Sequence, residues 1–395
     1  MNRKLLKATR LIDGISPTAR QEVVVAVESG HITTVNDEVR SMESAATELL
    51  DYTGLCLMPG LIDCHTHTQM DAGKWVPEEI ADRSDARLYK RSVNNIQAAL
   101  GSGVTTVRDN AARQLPILGL REKLRSGQTK GPRLIVSGAA ITRKEGHCWF
   151  IGVTAESNEQ LSTLIHQHIK EGVDFLKVMA TGGNLTRTSN PRRAQFELEQ
   201  LKIIVREARA AGLKVSAHAH GTEGISQCVE AGVDSIDHCS WLGKEDGFQF
   251  DPKIVALMAE RGIYVVPTLS AIFERFAENP EVLERRLSNL RSMADMGVSI
   301  VAGTDAGVDG VPFGRPWREI ELLSRSGLSN LDAIRAATSA AAQCLGIDDQ
   351  VGTVVSGKEA DLIAVDGNPL EDLSALRRIK MVMKSGEVIF SEINS

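Results

Sequence analysis

The chain has 395 residues, which is too long for one small domain and fits either one large barrel-sized unit or two domains. Its composition, 42% hydrophobic and 24% charged, is typical of a globular protein with a full core. A net charge of −6 argues against nucleic acid or an anionic membrane surface as the main partner.

The N-terminal segment and the cysteines indicate where the protein works. Arg10 and Asp13 interrupt the N-terminus before an apolar stretch of signal-peptide length develops, and no run of about 18 apolar residues occurs later. The six cysteines form no CxxC pair, which favours reduced thiols. We therefore expect a cytoplasmic protein that binds neither membrane nor nucleic acid. The oligomeric state stays open, and a homo-oligomer is compatible with the sequence.

Both ends of the chain are predicted to form β-strands. Residues 22–35, EVVVAVESGHITTV, place two β-rich runs around Ser29 and Gly30, a pattern typical of a hairpin. Near the C-terminus, VGTVVSGKEADLIAVDGNP and IKMVMKSGEVIF indicate short strands separated by glycine-containing turns. We therefore predict a small β-sandwich domain that is built from residues 1–56 and 352–395.

Residues 57–351 alternate short apolar runs with helical stretches. The eight runs are LIDCHTH, VTTVRD, RLIVSG, DFLKVM, LKVSAHAH, VDSIDH, IYVVPT and VSIVAGTD. One helical stretch ends at Gly212, and another begins with Ser329 and Asp332 in capping positions. Eight strands that alternate with helices over about 250 residues predict an α/β fold, a (β/α)8 barrel similar to the TIM barrel. A doubly wound sheet is the rival architecture, but the sequence contains neither a P-loop nor a dinucleotide-binding glycine motif after a strand.

The first apolar run ends in two histidines, His65 and His67. Residues two apart on a regular strand point to the same face, so both imidazoles would converge while Cys64 and Thr66 point the other way. Imidazole is also the commonest metal-ligating side chain. The pair favours a metal site, and a buried core histidine is the alternative for either residue alone.

Further polar side chains fall where other predicted strands end, which is the end of a barrel that carries the chemistry. Lys177 lies in the fourth run, His218 and His220 in the fifth, His238 in the sixth and Asp305 at the end of the eighth. Histidines that were scattered over a surface or a core would not gather at strand ends. The constellation therefore favours one metal site that draws ligands from several strands.

These motifs resemble those of the amidohydrolase superfamily, and the resemblance covers nearly the whole chain. The stretches that carry it are PGLIDCHTH, LKVMATGG, AHAHG, IDH, GTDAG and GKEADLIAVDGNPL. Among the branches, the chain looks most like the prolidase-like metallo-dipeptidases, which include Xaa-Pro dipeptidases and Xaa-Arg carboxypeptidases. The histidines, the lysine and the aspartate follow one another in the superfamily's order.

The resemblance implies a binuclear site that holds two divalent metal ions, usually Zn²⁺. The implied ligands are His65, His67, Lys177, His218, His238 and Asp305. The first two histidines and Asp305 would hold the more buried ion, and the other two histidines would hold the outer one. A lysine ammonium has no lone pair to give a cation, and in the family CO₂ carbamylates this lysine so that it bridges both ions. The alternative for Lys177 is a barrel lysine that pairs with a carboxylate.

The resemblance also implies substrate-binding residues. In the branch, the second histidine of AHAHG faces the substrate, which assigns His218 to the metal and His220 to the substrate, although the reverse assignment stays open. His147 resembles a residue that hydrogen-bonds the substrate carbonyl. Trp149 and Phe150 follow it and either wall a pocket or pack under the loop.

A basic loop, TGGNLTRTSNPRRAQ, follows the fourth run and carries Arg187, Arg192 and Arg193. Arginine suits recognition of a carboxylate, so this loop is predicted to bind the free carboxylate of a substrate. It would then disfavour substrates with Lys or Arg beside that carboxylate. A solvated surface loop is the alternative.

The implied function is hydrolysis of an amide C–N bond in a dipeptide or an N-acyl amino acid, with a metal-bridging hydroxide as nucleophile. Asp305 would carry the proton and His147 would stabilise the oxyanion. A hydrolase of a cyclic amide, lactone or arylurea would share every ligand and stays open. Lys177 disfavours a mononuclear deaminase of the same fold, and the complete ligand set disfavours a non-enzymatic scaffold. The expected partner is a small-molecule substrate.

Overall fold

The computed structural model describes residues 3–36, 47–73, 80, 82–276 and 279–392. The chain divides into two compact units. The terminal unit comprises Met1–Asp63, Gln97–Thr106 and Gly314–Ser395, and the central unit comprises Cys64–Ile96 and Val107–Phe313. The sequence predicts a different division, with residues 1–56 and 352–395 in a small β-sandwich domain and residues 57–351 in a catalytic domain. That division stays a prediction. Residues 1–2, 37–46 and 393–395 of that prediction, and 74–79, 81 and 277–278, lie outside the described residues.

Strands at both ends of the chain flank a region in which strands and helices alternate. The strands are β1 (Arg3–Leu11), β2 (Arg20–Glu28), β3 (His31–Asn36), β4 (Thr47–Pro59), β5 (Leu61–Thr66), β6 (Val104–Asp109), β7 (Arg133–Val136), β8 (Ala140–Thr142), β9 (Gly152–Thr154), β10 (Phe175–Met179), β11 (Lys214–Gly221), β12 (Ser235–Leu242), β13 (Tyr264–Val266), β14 (Leu362–Asp366), β15 (Ile379–Lys384) and β16 (Glu387–Ser391). The helices are α1 (Asp85–Gly101), α2 (Gln114–Arg125), α3 (Asn158–Glu171), α4 (Leu198–Ala210), α5 (Thr222–Ala231), α6 (Pro252–Glu260), α7 (Leu269–Arg275), α8 (Pro280–Asp295), α9 (Pro316–Arg325), α10 (Asn330–Ala336) and α11 (Ser339–Leu345). Short 3₁₀ helices cover Trp149–Ile151 and Leu373–Arg377.

The terminal unit contains a seven-stranded sheet in the order β16-β15-β14-β4-β1-β2-β3. The pair β1–β4 is parallel and the other pairs are antiparallel. The predicted hairpin is confirmed, because Glu28 pairs with His31 across a turn in which Ser29 and Gly30 both have positive φ. A separate β-rich unit from both ends of the chain is therefore confirmed, whereas its sandwich arrangement stays a prediction.

Parallel strands dominate the rest of the chain. They form a three-stranded sheet, β5-β6-β7, and a six-stranded sheet, β13-β12-β11-β10-β8-β9. Seven of the eight predicted apolar runs coincide with strands, namely β5, β6, β7, β10, β11, β12 and β13. The short strands β8 and β9 were not predicted, because three residues are too few to show a period.

The eighth predicted run, residues 298–305, forms no named strand and joins its neighbours through isolated bridges and single hydrogen bonds. Ile300 bridges to Val265 of β13, and Ala306 bridges to Thr66 at the end of β5. Cys64 N also donates to the carbonyl of Ala302, at 3.0 Å. Within the central unit this run therefore lies between β13 and β5, and it delivers Asp305 beside the end of β5.

Two predicted helix ends are confirmed, and one predicted helical stretch is divided. Gly212, with φ of 72°, follows the end of α4. Ser329 Oγ accepts a hydrogen bond from Asp332 N at 3.1 Å and caps α10. The stretch then breaks at Thr338, which has non-helical dihedral angles and donates its hydroxyl to the Ile334 carbonyl, so α10 and α11 are separate helices.

The cysteines and the helices agree with the bulk properties of the sequence. All six cysteines are buried and free of disulfide bonds. Burial raises the pKa of Cys148 and of Cys239 to about 12, which keeps both thiols protonated at neutral pH. No helix in the described ranges combines the length and the apolar character needed to cross a membrane.

Candidate metal centre

A first donor set, His65, His67 and Asp305, lies at the carboxyl end of β5. Every residue of β5 is buried, so the strand presents His65 to the interior, and His67 follows directly after it. Asp305 Oδ1 lies 3.2 Å from His65 Nε2 and 3.2 Å from His67 Nε2. Ligands around a tetrahedral zinc ion are separated by roughly 3.4 Å, given Zn–N distances of about 2.0–2.1 Å. Asp305 therefore lies at a distance from each histidine that suits two ligands of one ion.

A second donor set, His218, His220 and His238, comes from the neighbouring strands β11 and β12. Its three ligand atoms all lie within 4.8 Å of one another, and so do those of His65, His238 and Asp305. His238 therefore joins the two sets. The ring centroids of His218 and His220 lie equally close to that of His238, at 4.6 Å. The structure thus brings both histidines of AHAHG to the centre, and the assignment of one to metal and one to substrate stays a prediction.

Neutral groups orient the second donor set. Thr268 Oγ1 lies 2.8 Å from Nδ1 of His238, and Ser240 Oγ lies 2.6 Å from Nδ1 of His220. The third histidine of the set donates its Nε2–H to a backbone carbonyl at 3.0 Å. Each ring therefore uses one nitrogen for orientation and presents the other to the centre, as metal-ligating histidines do.

The ionisation of the histidines also suits a metal site. Burial holds the pKa of the second donor set well below the usual range, and burial together with the His67 and Lys177 charges lowers the pKa of His147 to about 3. These imidazoles are neutral at pH 7 and keep a lone pair for a cation. His65 differs, because the carboxylates of Asp237 and Asp305 outweigh burial and raise its pKa.

Lys177 and Asp237 form a buried pair behind the first donor set. Lys177 lies in the middle of β10 and is 1% exposed, and its Nζ contacts the Asp237 carboxylate. Asp237 also accepts a hydrogen bond from Ser216 Oγ at 2.7 Å and lies 3.1 Å from His65 Nδ1 and 3.4 Å from the Arg108 guanidinium. The pair is the arrangement that the alternative interpretation of Lys177 expects. Burial also lowers the pKa of Lys177, which makes its neutral amine more accessible.

The backbone of β12 explains why Asp237 and His238, adjacent in sequence, both face the centre. Neighbours on a regular strand point to opposite faces. His238 has φ of 67° and Cys239 has φ of 45°, so the alternation is broken at this point. Arg286 of α8 holds the distorted backbone, since its Nη2 donates to the carbonyl of His238 at 2.5 Å and to that of Pro267 at 3.3 Å. Backbone strain of this kind clusters at functional sites, and a sequence does not display it.

His147 lies on the other side of the second donor set. It is 3% exposed, and its ring centroid is 4.4 Å from that of His218. Its backbone N–H donates to Gln195 Oε1 at 2.7 Å, and its Nδ1 is buried with no hydrogen-bond partner in the described part of the chain. A Cβ atom on Gly183 would lie 2.4 Å from this ring, so the glycine permits the close approach.

A cavity opens over the two donor sets. It is lined by His65, His67, His147, Cys148, Lys177, Met179, Asn184, Leu185, His218, His220, His238, Thr268, Ala271, Ile272, Arg275 and Asp305. The sequence pattern anticipated the histidines, the lysine and the aspartate of this lining. It did not single out Arg275, the last residue of α7, because the sequence around Arg275 contains no motif.

Several predicted substrate-binding residues lie elsewhere. Among the described lining residues there is neither Trp149 nor any of the three arginines of the basic loop. Arg192 donates to the carbonyls of Gly243 at 2.7 Å and Gly247 at 3.0 Å, while Arg193 lies 3.4 Å from Glu245. Trp149 and Phe150 contact each other edge to face, and both pack in one apolar cluster. Their predicted roles in substrate binding therefore stay predictions.

The comparisons with known proteins agree with this geometry. The model of the Amidohydrolase family matches residues 56–389. The ochratoxinase of Aspergillus niger is 32% identical over 370 residues, which cover 82% of this chain and 73% of that protein. The imidazolonepropionase of Sphingopyxis alaskensis is 26% identical over 383 residues, 88% of this chain and 87% of that one.

The solved structures extend the similarity to the whole chain. The crystal structure of a Xaa-Pro dipeptidase with bound methionine in the active site has a TM-score of 0.88 and 29% identity, and the match covers 98% of this chain and 100% of that one. The predicted resemblance to the amidohydrolase superfamily and its prolidase-like branch is confirmed. The chain belongs to the amidohydrolase family and is a hydrolase that acts on carbon–nitrogen bonds.

Proposed function

We propose that the protein is a binuclear metal-dependent hydrolase that cleaves the amide C–N bond of a dipeptide or an N-acyl amino acid. The observation that carries the proposal is that both donor sets line one cavity and that His238 of the second set lies within 4.8 Å of ligand atoms of His65 and Asp305 in the first. The similarity to a Xaa-Pro dipeptidase with methionine in its active site supports an amino-acid-derived substrate. The cavity suits such a substrate, because Met179, Leu185 and Ile272 add an apolar wall to the polar centre.

The donor chemistry fits two divalent ions. His65, His67 and Asp305 would hold the first ion, and His218 and His238 would hold the second, with His220 directed to the substrate. Imidazole and carboxylate donors of this number and spacing suit Zn²⁺. When bound, the two ions would supply Lewis acidity and lower the pKa of a water toward neutrality.

Lys177 would serve the centre as a carbamate. Carbamate formation joins the neutral amine to CO₂ and releases a proton, so a buried lysine with a lowered pKa is suited to it. The carbamate would carry two oxygens and one negative charge. Because the Lys177 amine contacts the Asp237 carboxylate, carbamate formation would displace that contact. The hydrogen bonds that Asp237 receives from Ser216 and Arg108 would keep that carboxylate in position after the change.

Asp305 and His147 would handle the proton and the developing charge. The Asp305 carboxylate would accept a proton from the attacking water and pass it to the leaving nitrogen. His147 is neutral at pH 7 and has one ring N–H to donate, which suits stabilisation of the oxyanion on the scissile carbonyl. Its partnerless Nδ1 is compatible with a hydrogen bond that forms only when substrate is present.

The proposal includes a closed (β/α)8 barrel for residues 57–351. Hydrogen bonds within the central unit support it at both open edges of the parallel sheets. Asp174 N donates to the Val136 carbonyl at 2.9 Å, which links the end of β7 to the start of β10. Val265 N donates to Ser299 O at 2.9 Å and Asp305 N donates to His65 O at 2.8 Å, which link β13 through residues 298–305 to β5.

A second candidate is a hydrolase of a cyclic amide. The specific observation in its favour is the 26% identity to an imidazolonepropionase over most of both chains. The donor sets would serve either substrate, since both reactions attack an amide carbonyl. The two candidates differ in whether a free carboxylate adjoins the scissile bond.

The experiment that tests the proposal is an activity screen of the zinc-loaded protein against dipeptides, N-acyl amino acids and cyclic amides. We expect turnover of N-acyl amino acids or dipeptides, and close to two zinc ions per chain by elemental analysis. The chelator-treated protein, reloaded with zinc, is the matched control. Turnover of cyclic amides alone would favour the second candidate, and full activity with one tightly held ion would exclude the binuclear assignment.

A further inference from the structure

One arginine at the cavity has no protein partner among the described residues. Arg275 is the last residue of α7, is exposed, and lines the cavity beside Ala271 and Ile272. Among the described residues its guanidinium has no hydrogen-bond or ion-pair partner. Apart from Lys177, which contacts Asp237, it is the one lysine or arginine in the described lining.

The basic loop after β10 offers no comparable group to the cavity. Arg192 Nη1 donates hydrogen bonds to the carbonyls of Gly243 and Gly247, and Arg193 pairs with Glu245. The exposed Arg187 does not line the cavity in the part of the chain that is described. The cavity therefore receives its unneutralised positive charge from Arg275.

The charge of Arg275 acts toward the interior of the cavity. Arg275 lines the same cavity as His147 and His220. His147 and His220 are among the residues predicted to face the substrate. A ligand that lies between them and Arg275 would therefore experience this positive potential.

The lining next to Arg275 is apolar. Ala271 and Ile272 precede it on α7, and Leu185 and Met179 complete the wall. A ligand that matches this surface combines an apolar side chain with an anionic group, and a planar carboxylate can accept two hydrogen bonds from one guanidinium. An amino acid with an apolar side chain has both features.

We propose that Arg275 binds the free carboxylate of the amino acid that the reaction releases, and that it makes the protein select acids over the corresponding amides. The inference rests on the proposed function and narrows its substrate class to N-acylated amino acids and dipeptides with an unblocked carboxylate. It assigns to α7 the recognition that the sequence assigned to Arg187, Arg192 and Arg193.

The test compares N-acetyl-L-methionine with N-acetyl-L-methioninamide, which differ only in the carboxylate. For the zinc-loaded wild type we expect kcat/KM and calorimetric affinity to favour the acid. Arg275→Met should lose about 10- to 100-fold of that preference, the usual scale for hydrogen bonds to a charged group, mainly through KM. Arg275→Lys should retain part of it. Arg291→Met, at another exposed arginine, on α8, is the matched control, and zinc content and thermal midpoint should be unchanged in all variants.

The outcomes separate the inference from the proposed function. An acid preference that survives in Arg275→Met but is lost in Arg187→Met would overturn the inference. It would assign carboxylate binding to the basic loop instead. If the wild type hydrolyses neither compound, the proposed function fails for this substrate class, whereas the binding measurement still decides the role of Arg275. Equal wild-type affinity for the acid and the amide would overturn the inference whether or not turnover occurs.

Discussion

The two donor sets of the centre are held by chemically different partners. In the first, the carboxylate of Asp237 lies 3.1 Å from Nδ1 of His65, beside the neutral amide of Asn110 at 2.6 Å, and Asp305 is itself a carboxylate. In the second, the partners are the hydroxyls of Ser240 and Thr268 and a backbone carbonyl. A carboxylate partner raises the basicity of an imidazole, whereas a hydroxyl mainly fixes its orientation. From this difference we expect the first set to bind a cation more tightly than the second.

Lys177 lines the same cavity as both donor sets, and its removal should abolish the difference between them. Lys177→Ala removes the proposed bridge, so we expect the second ion to be largely lost and turnover to fall to background. The first ion should remain, because its own ligands are intact. Elemental analysis and kcat measure the two effects, and a short carboxylic acid should restore part of the activity by standing in for the carbamate. Wild-type zinc content and rate in this variant would show that Lys177 is a structural partner of Asp237 only.

Asp305 tests whether the first set also performs chemistry. Asp305→Asn keeps an oxygen that can touch a metal but cannot carry a proton, so we expect kcat to fall about 10²- to 10⁴-fold with modest metal loss. Steady-state kinetics at saturating zinc measures the effect. A variant within about threefold of wild type would exclude Asp305 as the proton carrier, since general acid–base contributions are larger than that.

Asp237 tests the charged partner of the first set. Asp237→Asn removes the negative charge beside His65 and Lys177, and we expect zinc affinity and activity to fall about 10- to 100-fold, the usual cost of losing a partner of a ligand. The variant should also unfold at a lower temperature, because Lys177 and Arg108 stay buried with a weaker partner. Competition with a chromophoric chelator measures the affinity. Unchanged affinity would mean that the carboxylate serves folding alone.

Thr268 provides the matched test of the neutral partners. Thr268→Val has nearly the same shape and removes one hydroxyl hydrogen bond to His238, so we expect only about a 2- to 10-fold loss of zinc affinity, confined to the second ion. The same chelator competition measures it, with two phases for the two ions. A loss as large as that of Asp237→Asn would contradict the difference between the two donor sets.

Parts of the centre follow from local sequence alone. The alternation of a strand places His65 and His67 on one face, and their spacing therefore predicts convergence before any fold is known. The hairpin at Ser29 and Gly30 and the cap at Ser329 are equally local, because each depends on two to four neighbouring residues. Family motifs additionally predict ligands that lie far apart along the chain.

Other parts depend on contacts between distant segments. Thr268, Arg286 and Arg275 carry no motif, and each acquires its place only because the segments after β13 pack against β12 or line the cavity. Asp237 is predicted by alternation to face away from the site, and the left-handed backbone of His238 reverses that expectation. The basic loop shows the converse. Its arginines resemble a binding site in the sequence, but in the structure Arg192 donates to two carbonyls and Arg193 pairs with Glu245.

The residues of the candidate metal centre can thus be predicted from local sequence, whereas the residue proposed to select the substrate cannot. Residue type and the two-residue period of a strand are enough to gather imidazoles and a carboxylate at strand ends, since both act over a few neighbouring positions. Which cation stays unneutralised at the cavity depends on which carboxylates and carbonyls lie within about 3 Å of each guanidinium, and the packing of the chain sets those distances. That is why Arg275, rather than Arg192 or Arg193, is the arginine left facing the substrate cavity.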